Sequence, residues 1–187
     1  MTAGLAAAPP QSRTVPIVLG VWFLAALGLG SWLFATLPFP APQLSIVALA
    51  VIATVGLRTW FESISWRALV GMHAVRLVGI VFLILGARGL LAPDFAARAG
   101  WGDIIAALGA LAVASFGLRP KWIAYLWNSF GALDLVVAVG TATLVARSGA
   151  LPGMTPLNHI PLNLVPTFFV PLLLASHVAI YRRISAS

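Results

Sequence analysis

The chain has 187 residues, 61% of them hydrophobic and only 8% charged, with a mean hydropathy of +1.03. A soluble domain carries roughly 25% charged residues, so this composition excludes a water-facing surface and indicates a polytopic membrane protein. The net charge of +7 is not clustered, which argues against nucleic acid as a partner, and the absence of cysteine excludes disulfides, iron–sulfur clusters and thiol catalysis.

Six apolar segments follow one another, each near the ~20 residues needed to cross a ~30 Å hydrocarbon core. Met1–Thr14, with Ala, Pro, Ser and a single Arg, reads as a disordered tail, and residues 15–184 as a single transmembrane helical domain. The first span is expected at about Val15–Leu37. It is long and lacks a clean small-x-small cleavage site, so it reads as a span and not as a signal peptide. Pro38-Phe39-Pro40-Ala41-Pro42 forms a tight, rigid connection to a short second span at about Leu44–Phe61. The third span is expected at about Ala68–Leu91. In the next loop, Asp94 and Gly100 bracket a short interfacial helix, the acid at its N-terminus and the glycine ending it. Asp103 then caps a short fourth span at about Gly102–Leu118. The fifth span is expected at about Trp122–Ala146. Gly149–Pro161, with Pro152, Pro156 and Pro161, is stiff and extended. Pro166 and Pro171 bend the sixth span, at about Leu162–Tyr181.

The bases sit singly or in pairs between these segments, as the positive-inside rule requires. Arg13, Arg58, Arg67, Arg119, Lys121, Arg182 and Arg183 fall on one side of the membrane, and Arg88, Arg98 and Arg147 on the other. The excess puts both termini in the cytoplasm. Trp60, Trp66, Trp101 and Trp122 fall at span ends, in an interfacial aromatic belt. Arg supplies all the bases except Lys121, and the chain is rich in Ala, Gly and Leu. That codon bias points to a GC-rich bacterial genome, hence to the bacterial cytoplasmic (inner) membrane.

Lipid gives helices no hydrophobic drive to associate, so small residues mark their close contacts. Ala106, Ala110 and Ala114 form one such row. Met72, Gly79 and Gly86 form a second, and Gly131, Ala138 and Thr141 a third. Together they predict a compact all-α transmembrane helix bundle.

The intramembrane polar residues are few: His73 and Arg76 on the third span, Asn128 and Asp134 on the fifth, and His177 on the sixth. Ionisable groups at that depth are costly and ordinarily have a partner or a task. Asp134 is thirteen residues from both Lys121 and Arg147, near the bilayer midplane. Arg76 lies about 14 Å along its helix from Arg67, within reach of Asp134 if the two spans touch. The expected arrangement is an Arg76–Asp134 ion pair, with Asp134 the one intramembrane acid able to neutralise Arg76. The other arrangement has Arg76 snorkelling along its own helix and Asp134 uncharged.

His73 and His177 lie at one depth, roughly 8–9 Å from the cytoplasmic side. Hydrogen-bonded interhelical histidines are the simpler reading. Axial ligation of a b-type haem is the alternative, with Arg76 or Arg182 as the base for its propionates. His159 reads as a loop residue. A retinal Schiff base has no mid-span lysine, and no H-E-x-x-H, G-x-S-x-G or phosphate-binding glycine loop occurs.

Arg76-Leu77-Val78-Gly79-Ile80-Val81-Phe82-Leu83-Ile84-Leu85-Gly86, followed by a short loop and Gly102-Asp103-Ile104-Ile105-Ala106-Ala107-Leu108-Gly109, resembles the DoxX-like small bacterial membrane proteins. The resemblance covers about the middle half of the chain. It implies a four-helix core and an accessory role near respiratory or quinone chemistry, and it assigns no catalytic residue. Six spans exceed that family's usual four.

The function expected is non-enzymatic: an accessory protein, or one that binds a small lipophilic ligand such as a quinone. The cluster His73, Arg76, Asn128, Asp134 and His177 would be its polar centre, with no catalytic residue and no metal. Its expected partners are the lipid bilayer and other membrane subunits. A b-haem redox protein and a small-solute transporter are the alternatives, the latter disfavoured by the scarcity of acids.

Overall fold

The computed structural model describes residues 14–118, 120–149 and 151–187. The tail before Thr14, with Arg13, and the loop base Arg119 lie outside the described residues. The helices are α1 (Thr14–Thr36), α2 (Ala41–Gly56), α3 (Arg58–Ser63), α4 (Trp66–Gly71), α5 (Gly79–Ala87), α6 (Pro93–Phe116), α7 (Lys121–Ser148) and α8 (Val170–Ala186). Every regular element among the described residues is helical. Five segments are long and apolar enough to cross a membrane: Thr14–Trp32, Trp66–Ala87, Pro93–Phe116, Lys121–Ser148 and Val165–Ala186.

The expected second span is two helices. α2 has 16 residues, about 24 Å of rise, short of a ~30 Å core. The chain leaves helical geometry at Leu57 (φ −100°, ψ 9°) and turns into α3, which buries Phe61 in the bundle.

α6 corrects a second expectation. The interfacial helix and the fourth span are one continuous helix, Pro93–Phe116. Pro93 stands in its first turn, where a missing N–H costs nothing, and Asp94 faces the positive end of the helix dipole. Gly100 does not end a helix. It is buried mid-helix, where its missing side chain lets α5 approach. Trp101 therefore lies inside α6 and not at a span end. The helix stops at Gly117, whose φ of 79° is a backbone state that residues with side chains rarely adopt.

α6 is the centre of the bundle, packed against α4, the following 3₁₀ turn, α5 and α7, while α2 packs on α8. Members of the first two expected small-residue rows lie at these contacts. A Cβ on Gly79 would stand 2.5 Å from the Gly100 carbonyl oxygen, and one on Gly86 would stand 2.5 Å from Ala96 Cβ. Ala106 and Ala110 are fully buried. Glycine and alanine here bring backbones to van der Waals distance, which is what binds helices in lipid.

Pro166 stands in the first turn of a π-helical segment, Val165–Phe169, that leads into α8, and Pro171 in the first turn of α8. Pro171 has no N–H for the carbonyl of Thr167, and Trp22 Nε1 of α1 donates to that carbonyl at 3.0 Å. Asn163 Nδ2 donates to the Ala26 and Leu27 carbonyls at 3.1 and 3.0 Å. α1 is thus held on the proline-broken segment by polar bonds, while most of its surface is exposed.

At one end of the bundle, Arg183 Nη2 donates to the carbonyls of Phe61, Glu62 and Ile64, closing the C-terminus of α3. Tyr125 and Ser185 share a hydrogen bond there. At the other end the Arg147 guanidinium lies 5.0 Å from the Phe39 ring centre, and Ala92 N donates to the Gly153 carbonyl. The loop expected to be extended is folded over residues 151–161, with a 3₁₀ turn at Thr155–Asn158 that buries Leu157.

Candidate functional site

His73 and Arg76 do not sit on regular α-helix. Met72–Val78 winds as a 3₁₀ helix between α4 and α5, flanked by Gly71 and Gly79. The tighter winding, three residues per turn, puts residues 73 and 76 one above the other on one line of the rod. That line faces α6, α7 and α8, and both side chains are buried.

Arg76 is 1% exposed and reaches across the bundle instead of snorkelling. Its Nε donates to Asp103 Oδ1 at 2.7 Å, its Nη1 to the Gly131 carbonyl at 3.0 Å, and its Nη2 to Asp134 Oδ2. The expected pair with Asp134 is present, but Asp134 is not the sole neutralising acid. Asp103, expected as a helix cap, is a second one. The continuity of α6 puts residue 103 in mid-helix, one residue from Gly102 and facing the 3₁₀ turn. A Cβ on Gly102 would overlap the Asp134 carboxylate, so that carboxylate packs directly on the α6 backbone. With all three groups ionised, one guanidinium faces two carboxylates, and the triad carries one surplus negative charge.

The two histidines meet as well. Their ring centres are 4.4 Å apart, and Trp127 stands edge-on to His73 at 5.2 Å. Asn128 clasps His177 twice: its Nδ2 donates to the His177 carbonyl at 3.1 Å, and its Oδ1 lies 2.7 Å from His177 Nδ1. Since Oδ1 is an acceptor, Nδ1 carries the hydrogen. Ser176 Oγ lies 2.8 Å from the Leu173 carbonyl and 2.9 Å from His73 Nε2. Its one hydrogen goes to the carbonyl, so Nε2 of His73 is the donor. These tautomers are assigned from the hydrogen-bond network. They leave His73 Nδ1 and His177 Nε2 as buried nitrogens without a partner. Gly131 makes room for both clusters, since a Cβ there would be 2.7 Å from His177 Cε1 and 3.2 Å from Arg76 Nη1.

The rings touch, so a haem ligated by both would require them to part and admit a macrocycle. No group of three or more His, Cys, Asp or Glu able to hold a metal occurs among the described residues. His159 is exposed in its loop.

Sequence reasoning placed His73, Arg76, Asn128, Asp134 and His177, and the structure brings all five together. It missed Ser176, Trp127 and Gly102, and it read Asp103 only as a helix cap and Gly131 only as a packing residue. The signal for Asp103 was the uncapped apolar run on either side of it, which reads equally well as one helix.

Two adjoining cavities open against the triad, each of about 180 Å³, with Asp103, Leu135, Val165 and Val170 in the walls of both. Arg76 lines the second. The first runs about 16 Å along α7, from Leu135 to Ala146, toward Gln43 and Asn158 at the loop end. Its wall is largely apolar: Phe82, Phe95, Ala138, Val139 and Ala142 among others. An apolar cavity with a few converging polar groups is the usual form of a small-molecule site.

No curated protein and no solved structure shows significant similarity to the chain. Residues 33–185 match the family model described as Domain of unknown function (DUF8737), a match that begins near the end of α1 and takes in every later helix, and the protein belongs to that family.

Proposed function

We propose that this protein is a non-enzymatic, small-ligand-binding accessory protein of the bacterial inner membrane. The observation that supports the reading is the elongated apolar cavity that has Asp103, one carboxylate of the Arg76–Asp103–Asp134 triad, in its wall. A lipophilic molecule fits its length, and the triad supplies one polar pole within the membrane. The resemblance to DoxX-like proteins agrees with an accessory role. Solvent extraction of the protein purified from its native membrane, followed by mass spectrometry, is expected to yield one lipophilic species in near-stoichiometric amount. Ala142→Phe, which fills the cavity without touching the triad, is expected to lose it. If the wild type carries no such species, or the variant retains it, the reading fails.

We read α2 with α3 as a sixth, thinner crossing, with both termini cytoplasmic. In support, Arg58, Lys121, Arg182 and Arg183 lie on elements gathered at one end of the bundle, and Arg147 lies at the other. The chain has no cysteine, so Ser187→Cys and Leu151→Cys each give a single labelling site. In intact cells an impermeant maleimide is expected to label the residue-151 variant and to spare the residue-187 variant. The opposite pattern reverses the topology.

A second reading, a b-type haem between His73 and His177, rests on their two unpartnered nitrogens. A Soret band in the purified protein after haem supplementation supports it, and a flat spectrum removes it.

A further inference from the structure

We infer that the ligand of this cavity is an amphipathic cation, an apolar chain carrying a protonated amine or a similar positive head. The inference rests on the small-ligand reading above and names the chemistry of the head group. Arg76 is the cation of the polar cluster, and a free guanidinium selects carbonyl, carboxylate or phosphate oxygens. In the structure the guanidinium is turned into the protein. Each of the three guanidinium nitrogens is already donating, to Asp103, to the Gly131 carbonyl and to Asp134. What faces both cavities is Asp103, an acceptor held by Arg76 through Oδ1.

No described residue donates to the other oxygen of Asp103. With both carboxylates ionised against one guanidinium, one negative charge is left over, in a place where an unbalanced charge is costly. A cationic head beside Asp103 balances it, and an anionic head adds to it. At the far end of the same cavity, Gln43 Oε1 is a buried oxygen with no partner, again an acceptor. A quinone brings no positive charge to Asp103, and a carboxylate or phosphate brings the wrong one. Between the poles the wall is apolar and about 16 Å long, which suits an alkyl chain.

The test is thermal unfolding of the full chain in nanodiscs of a zwitterionic lipid, titrated with decylamine or decanoate below their micellar concentrations. Decylamine is expected to raise the wild-type Tm by about 5 °C at saturation, and decanoate to leave it unchanged. Ala142→Phe, with the triad intact and the cavity filled, is expected to abolish the decylamine shift. Asp103→Asn keeps the Arg76–Asp134 pair and is expected to lose the preference for amine over acid. An equal shift with decanoate overturns the cationic head and leaves the ligand cavity standing. No decylamine shift, or the same shift in Ala142→Phe, overturns both.

Discussion

Replacing both Asp103 and Asp134 by asparagine is expected to destabilise the bundle by about 3–5 kcal/mol, far more than the two single changes combined. The reason is charge balance. Arg76 has two carboxylate partners where neutrality needs one. Asp134→Asn leaves the Arg76–Asp103 pair, and Asp103→Asn leaves the Arg76–Asp134 pair. Each single change turns one charge-assisted hydrogen bond into a neutral one and leaves Arg76 one full counter-charge, so it costs at most about 1 kcal/mol. The double change strands a guanidinium that is 1% exposed. Arg76→Leu is expected to be as severe as the double change, since it leaves two facing carboxylates. Adding Arg76→Leu to the double change removes the stranded charge and recovers much of the loss. Thermal unfolding of the purified variants, followed by circular dichroism, gives the cycle. Additive effects for the two asparagines would mean that Arg76 does not depend on having at least one of them.

Gly102→Ala is expected to cost about 1–3 kcal/mol, although it adds only a methyl group in mid-helix, where alanine is ordinarily the better residue. The new Cβ occupies the space of the Asp134 carboxylate. The obstruction is a side chain and not backbone, so the remedy is specific. Asp134→Ala in the same chain clears the space, while Asp103 still holds Arg76. Gly102→Ala with Asp134→Ala is therefore expected to be more stable than Gly102→Ala alone, and the same unfolding measurement reads it. If the second change makes the protein worse, the packing of Asp134 on Gly102 is not the source of the cost.

Both results depend on a carboxylate that the sequence misplaced. Asp103 follows Gly100-Trp101-Gly102, a run that reads as a break before a new helix. In water such glycines would end or weaken a helix. In a helix buried against Gly79 they permit close approach instead, and α6 runs through them. The same local ambiguity hid the 3₁₀ turn at Met72–Val78, because an apolar run of this length reads as plain α-helix at every position. Pro166 and Pro171 were legible because a missing N–H has the same consequence in any surroundings.

The sequence by itself determined that this is a helical membrane protein, where its apolar segments lie, and which few polar residues are buried. Those follow from the cost of moving a residue from water to lipid, which each residue carries with it. Only the tertiary structure decided which partner each polar residue finds. It gave Arg76 a second acid, brought His73 against His177, and left Asp103 facing a cavity. Those depend on the rotation of each helix about its axis and on backbone approach at Gly79, Gly102 and Gly131. In a chain apolar on nearly every face, the hydrophobic pattern does not set that rotation. Steric fit between helices does, and it exists only once they are packed.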